Sequence, residues 1–384
     1  MKITIIGAGP AGLYFARLRK LHHPSDAITI YEQNPEGSTF GFGVSIAERA
    51  TERYQQADPE LIRRINAASL PMPHQRFTLD AQSYLVTSTQ YGAAIERQRL
   101  LNIMAAACTE LGVDIRYQQR CESIVEAAAE CDLLVGADGA NSVVLSQGSA
   151  NFEPHYGLLT TRFAWYGLRR RLPEAGLSFR HTRAGRLIGH YYPYAEGLST
   201  FVAEVDGPTW DSGFGDLSDS ERKAVFEEAF AAELLGESLI ENRSVWRQFR
   251  PVDNTRWQSG NRVLLGDAIA AAHYSIGSGT RLAMDDSLAL HDALEGTADD
   301  ISLALPLFES TRRPARQKLM GAARHSWDWY ENIAQWMQLP LMEFIHAFMA
   351  RTGRMDSARL AQALPGFSAD YAKWCATAKR SFEP

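Results

Sequence analysis

The stretch Lys2–Glu32, KITIIGAGPAGLYFARLRKLHHPSDAITIYE, decides the fold. Residues 2–6 are an apolar run of strand length, residues 10–20 carry helical apolar spacing, and residues 27–31 form a second strand-like run. Strand, glycine turn, helix and strand make one βαβ unit. Gly7, Gly9 and Gly12 lie between the first strand and the helix, with the small Ala11 among them. In that setting the first glycine makes the tight turn, the second lets the backbone approach a pyrophosphate, and the third allows close helix–strand packing. The helix N-terminus adds partial positive charge. Glu32 ends the second strand, where a carboxylate can accept ribose hydroxyls.

Outward from this unit, residues 97–112 have helical spacing and end at Gly112, and residues 113–117 and 132–135 read as short strands. From about 155 to 250, aromatic and β-branched residues alternate with arginine, which predicts an antiparallel sheet with a helix near 218–235. Residues 262–265 return to a buried strand, GDA follows, and a long helical stretch runs to about 294. Residues 303–384 read as helices rich in tryptophan. The expected architecture is therefore α/β. A discontinuous Rossmann-like domain spans 1–75, 93–154 and 251–320, an inserted antiparallel-sheet substrate domain spans 76–92 and 155–250, and a helical region spans 321–384.

The chain has 384 residues, 45% hydrophobic and 22% charged, an ordinary globular balance. A net charge of -6 argues against general nucleic-acid binding. No charge-free apolar run nears the roughly 18 residues of a membrane helix. Structure begins at once after Met1, so no leader is expected, and the four cysteines lack CxxC spacing, which points to a reducing cytoplasm and to no metal.

Two further strand ends bear glycine and aspartate. DLLVGADGANS (132–142) carries Asp138-Gly139, and RVLLGDA (262–268) carries Gly266-Asp267. Three glycine-bearing strand ends suit a long ligand such as FAD better than a compact dinucleotide site. With these motifs the sequence resembles the flavoprotein aromatic hydroxylases typified by p-hydroxybenzoate hydroxylase, which share GxGxxG at the start, DG mid-chain and GD near two-thirds. The resemblance implies a GR2-type FAD-binding domain in which Gly7, Gly9, Ala11, Gly12 and Glu32 hold the ADP part. It assigns the ribityl chain to Asp267 beside Gly266, and gives Asp138 to both FAD and the path of NADH or NADPH. Arg97, in IERQRLL, matches the family's I-x-R-x-x-L helix start near the FAD phosphates. The family's DG motif continues to an arginine, and Leu145 stands there instead.

HYSIGSGTRLAMDDSLAL (His273–Leu290) resembles the corresponding loop of salicylyl-CoA 5-hydroxylases and of the hydroxylase domain of 2-aminobenzoyl-CoA monooxygenase, and also that of the violacein-pathway hydroxylase. FGFGVSI (Phe40–Ile46), SWDWYENI (Ser326–Ile333) and MARTGR (Met349–Arg354) extend the likeness. Ser275, Gly277, Ser278 and Gly279 precede an apolar helix, so their N–H groups, with Thr280 just after them, can meet the anionic side of a reduced flavin. The resemblance implies that NAD(P)H reduces FAD, that O2 adds to give a C4a-hydroperoxide, and that an OH passes to an electron-rich ring. The leading substrate is an aryl-CoA thioester. The alternative is a free aromatic or indole metabolite, and a flavin-binding escort without turnover is the reading from another class.

His273 and Tyr274 flank the loop and are the expected contacts with the reacting end. Tyr191, Tyr192 and Tyr194, in HYYPY, are expected on the substrate wall. Residues 162–186 hold Arg162, Arg169, Arg170, Arg171, Arg180, Arg183 and Arg186 against one acid, Glu174. Arginine forks suit phosphates, so Arg169 and Arg183 are taken as receivers of a CoA tail, against the plainer reading of a solvated sheet face. The chain is expected to act as a monomer or homodimer. Trp327 and Trp329 read as helix packing.

Overall fold

The computed structural model describes residues 1–38, 41–46 and 51–378. β1 (Lys2–Ile6), α1 (Pro10–His22) and β2 (Ala27–Tyr31) form the expected βαβ unit. β3 (Gly43–Ile46), the hairpin of β4 (His74–Leu79) and β5 (Gln82–Thr87), and β6 (Ala93–Glu96) then leave the nucleotide layer. α2 (Arg97–Thr109), β7 (Asp114–Arg116) and β8 (Leu133–Gly136) return to it. Four long strands follow, β9 (Arg162–Leu168), β10 (Ala175–Thr182), β11 (Gly185–Ala195) and β12 (Leu198–Val205), then α3 (Asp219–Ala229). β13 (Arg262–Leu264) rejoins the first layer before α4 (Gly279–Gly296), α5 (Ile301–Glu331), α6 (Leu341–Ala350) and α7 (Pro365–Thr377).

The first sheet has the order β13-β8-β1-β2-β7, all parallel, with residues 258–259 as a short antiparallel edge. β1 is buried on both faces from Ile3 to Ile6, as an apolar run without alternation requires in a covered parallel sheet. α1 is pressed onto it. A Cβ at Gly12 would lie 2.2 Å from the Gly7 carbonyl oxygen and 3.0 Å from Ile5 Cγ2.

The second sheet runs residues 240–241, β9, β12, β11, β10, β4, β5. Its pairs are antiparallel except β10 with β4, which run parallel. This corrects the expectation of a wholly antiparallel sheet. β4 arrives on a separate excursion from the nucleotide layer, so no hairpin fixes its direction against β10. α5 runs unbroken through residue 320, so the expected boundary there falls inside one helix.

Alternation along β9–β12 sends Tyr166, Tyr191, Phe201 and Ala203 to one face, packed on Phe226 of α3 and on Phe230 just past its end. The other face is shared. Phe77, Phe179 and Ile188 on it meet Trp329, Phe344 and Phe348 of the C-terminal helices. The remainder of that face looks toward the ends of the parallel strands. Among the described residues, no helix is long and apolar enough to cross a membrane.

Candidate active site

β1 and β8 end side by side, with Ile6 opposite Gly136, so their loops converge at the C-terminal edge of the sheet. Gly7 has φ +103°, and a Cβ there would sit 2.5 Å from the Ala137 carbonyl oxygen, so no side chain fits between the loops. The end of β13 adds Gly266 with φ +62°, facing the Ala11 methyl at 3.2 Å from a would-be Cβ. Between these loops and the second sheet lies a cavity of about 560 Å³, lined by Gly7, Gly9, Ala11, Glu32, Arg97, Asp138, Gly266, Asp267, Gly277, Ser278, Gly279 and Thr280. A smaller cavity of about 100 Å³ shares Gly9, Glu32, Asn34 and Arg97 with it, so the two form one trough along the strand ends. Gly12 lies outside the wall and acts through packing.

The polar groups of the trough are incompletely paired. Glu32 is fixed at the turn, with Oε2 accepting from the Ala8 N–H at 3.0 Å and Oε1 from the Asn34 N–H at 2.8 Å. Asp138 Oδ2 accepts from the Val143 N–H at 2.6 Å, while Oδ1 has no partner and burial raises the carboxyl above its ordinary range. Among the described residues Arg97 Nε also lacks a partner; burial lowers its pKa, and the nearby Asp267 opposes that. Asp267 projects into the cavity, where the surrounding protein raises its carboxyl and Arg316 and Arg97 pull it back. Buried polar groups in native proteins are normally satisfied, so the orphaned Asp138 and Arg97 atoms point to a polar ligand. They fit a dinucleotide with a polyol bridge.

Behind the Gly266 turn is a brace absent from the sequence reading. The Gly266 N–H donates to Asp286 Oδ2 at 3.1 Å, and Arg316 Nη2 donates to the Gly266 carbonyl at 2.8 Å. Asp286, fully buried on α4, also pairs with Arg316 Nη1 and with Arg312 Nε at 2.8 Å, both on α5. Where the family carries an arginine after DG, Leu145 is buried in the core.

The opposite wall is aromatic. Phe163 and Trp165 of β9, Tyr192 of β11, Phe249 and Tyr274 line the cavity. Tyr274 packs on Phe163 with ring centres 4.5 Å apart. Tyr192 donates to the Gly43 carbonyl at 2.8 Å, and burial pushes its phenol up to about 12. Phe163, Trp165 and Phe249 were missed, although the alternation in RFAWYGL already puts the first two on one face.

Four expected site residues lie elsewhere, and one of them, Tyr194, borders a separate cavity with Gly41 and Phe42. Tyr191, one residue along the strand from Tyr192, points to the other face, with its hydroxyl 3.2 Å from Ser178 Oγ and its ring stacked on Phe201. It is not on the cavity wall. His273 sits behind Tyr274, 1% exposed, and burial draws its pKa down to about 3, so the ring is neutral. Its Nδ1 lies 2.8 Å from Ser275 Oγ, and it lines none of the cavities described. Arg183 is exposed at the β10–β11 turn and borders none of the cavities described.

Ser275 Oγ lies 2.8 Å from Ser326 Oγ, and Arg351 reaches both, through Nε to Ser326 Oγ at 3.0 Å and Nη2 to the Ser275 carbonyl at 2.9 Å. The loop, SWDWYENI and MARTGR thus meet in space. Phe40, which opens FGFGVSI, lies outside the described residues.

On the same sheet face, Glu204 is fully buried, with His190 Nε2 at 3.0 Å from its Oε2. Its charge lies against the Tyr274 hydroxyl, and burial with that charge raises the Tyr274 phenol well above its ordinary range. Three of the seven arginines are engaged by acids from outside their own stretch. Arg170 pairs with Glu237 at 3.6 Å, Arg186 with Asp206 at 2.6 Å, and Arg180 with Glu233. Arg169 borders a third cavity.

A glycine phosphate loop, three convergent strand ends and an aromatic wall on a second sheet define a Rossmann-type flavoprotein. The chain belongs to the family described as FAD binding domain, whose profile matches residues 1–323. It is 32% identical over 349 residues to salicyloyl-CoA 5-hydroxylase of a Streptomyces species, covering 88% of this chain and 67% of that one. It is equally 32% identical to 3-hydroxy-4-methyl-anthranilyl-[aryl-carrier protein] 5-monooxygenase of Streptosporangium sibiricum, covering 93% and 95%. The third relative, protodeoxyviolaceinate monooxygenase of Chromobacterium violaceum, is 32% identical and covers 91% and 94%. The solved tetrameric 2-methyl-3-hydroxypyridine-5-carboxylic acid oxygenase shares the fold, with a TM-score of 0.72 and 17% identity over 94% of this chain and 95% of that one. The chain is an FAD-dependent aromatic monooxygenase, with NADH or NADPH as the reductant of its class.

Proposed function

We propose that this enzyme hydroxylates a hydroxy- or aminobenzoyl ring presented as a thioester. The observation that carries the reading is the aromatic slot of Phe163, Trp165, Tyr192, Phe249 and Tyr274, set opposite the loop of residues 277–280 and backed by the buried Glu204. The two thioester-acting relatives supply the substrate class.

Gly7, Gly9 and Glu32 would hold the ADP end of FAD, with Arg97 at its phosphates and Asp138 and Asp267 on its hydroxyls. Residues 277–280 would meet the ring. Bound there, FAD accepts electrons from NAD(P)H and activates O2. The chain itself orients and dries the substrate. The aromatic side chains clamp a flat ring and exclude water. A ring hydroxyl or amino group that donates to the Tyr274 oxygen is activated as its proton leaves. Tyr274 passes its own phenolic proton to Glu204 and stays neutral, because burial and the Glu204 charge disfavour its phenolate. Glu204 shares the proton with His190, which is 14% exposed and opens the route to water.

A free indole-derived substrate is the second reading, favoured by the relative from Chromobacterium violaceum. The test is NADH and NADPH oxidation by the FAD-loaded protein with salicyloyl-CoA, anthraniloyl-CoA, the free acids and tryptophan. Stimulation by the thioesters is expected. Stimulation by a free aromatic alone replaces the first reading with the second.

A further inference from the structure

Where β9 ends, a cavity of about 460 Å³ lies across the segment Gly41–Gly43 from the aromatic slot. The two share that segment as a partition. Gly43 lines the slot, while Gly41 and Phe42 line the second cavity. The partition is thin. A Cβ at Gly41 would be 3.6 Å from the Trp165 ring of the slot, and the Phe42 ring lies so close over Gly167 that a Cβ there would meet it at 2.4 Å. The walls are apolar in Phe42, Leu198 and Ile240, with Tyr194 and Glu96 adding polar edges. At the rim stands Arg169, exposed, followed by the exposed Arg170 and Arg171. Arg170 is drawn to Glu237. Arg169 and Arg171 have no acidic partner among the described residues, unlike Arg180 and Arg186.

We infer that this cavity is the subsite for a 4′-phosphopantetheine arm, with the pantetheine chain in the Phe42–Ile240 channel and its phosphate on Arg169. The inference rests on the thioester reading above and names the part of the substrate beyond the ring. The arm is a chain of methylenes, a dimethyl carbon and two amides ending in a phosphate. A half-apolar channel with polar edges and an unpaired guanidinium at its mouth matches that order of groups. The slot receives the ring, the arm runs over the edge of the Gly41–Gly43 partition, and the phosphate stays at the solvent edge. Coenzyme A and an acyl carrier protein both present this arm, so the subsite serves either.

The experiment compares salicyloyl-CoA with salicyloyl-N-acetylcysteamine, which keeps the thioester but lacks the phosphate, on FAD-loaded wild type and Arg169→Ala. Loss of one charge-assisted bond to phosphate is expected to raise KM for the CoA ester about tenfold or more. The kcat should stay within about twofold, and KM for the truncated ester should not move. Arg169→Lys should recover part of the loss. Arg183→Ala should change neither substrate. A KM that rises equally for both esters, or for neither, overturns the subsite. Titration calorimetry with 4′-phosphopantetheine alone reads binding without turnover: the wild type should bind it and Arg169→Ala should bind it about tenfold more weakly or worse. No binding to the wild type also overturns the subsite. Failure of the thioester reading looks different, as oxygenation of a free aromatic and of no thioester, and the calorimetry still decides the subsite in that case. A salicyl-loaded carrier protein that saturates below the CoA ester assigns the arm to a carrier, and the reverse assigns it to CoA; both support the subsite.

Discussion

At the scale of single residues, Gly7 and Glu204 carry the sharpest expectations. Gly7→Ala sets a methyl against the Ala137 backbone in a left-handed conformation that costs an L-residue about 1–2 kcal/mol before any clash. FAD retention, read by flavin absorbance after gel filtration, should fall by about tenfold or more. Glu204→Gln keeps the shape but cannot take a proton, so kcat should drop roughly 10²-fold while substrate binding persists. Tyr191→Phe should leave kcat near wild type, because that ring faces α3. A neutral His273 gives a pH expectation with a definite sign. Its folded pKa of about 3 lies below the ordinary value near 6.5, so between the two the unfolded chain binds a proton that the folded chain refuses. The stability it contributes is complete above about pH 6.5 and lost as the pH falls. Urea midpoints of His273→Gln should decline less from about pH 7 to about pH 5 than those of wild type. Equal declines would mean that His273 titrates freely in the fold.

At the scale of elements, the β1–α1–β2 unit was readable almost residue by residue, since β1 is buried on both faces, β2 alternates beside it, and its glycines punctuate the chain. The ring-facing wall was readable only in part. Tyr192 was found, yet Tyr191 was grouped with it, although period-two alternation separates neighbours on any strand. The brace behind Gly266 could not be read, because Asp286 and Arg316 are 30 residues apart on two helices that meet only in the fold. Removing one partner leaves a buried charge uncompensated, so Arg316→Ala should cost about 3–5 kcal/mol and weaken FAD binding. Chemical unfolding of the FAD-loaded protein measures the first and flavin release the second. Loss of stability with unchanged FAD affinity would limit the brace to a structural role.

At the scale of the molecule, three stretches distant in sequence meet at Ser275, Ser326 and Arg351. These residues join the Ser275 loop to the C-terminal helices, which also cover part of the second sheet. The resemblance had placed these stretches in one branch of the family without showing that they touch. The second sheet is thus a common wall, with the C-terminal helices on one part of its face and the aromatic slot on another. The arginine excess in residues 162–186 looked like one phosphate-binding patch; the fold divides it, because strands pair several of its members with Glu233, Glu237 and Asp206 from later in the chain.

The most direct measurement is mass spectrometry of the products formed by the FAD-loaded enzyme with NADH, NADPH, isotopically heavy O2 and salicyloyl-CoA or anthraniloyl-CoA. One heavy oxygen atom on the aromatic ring, with the thioester intact, is the expected product. Reductant consumed with peroxide as the only oxygen product, for both thioesters, would contradict the proposed hydroxylation.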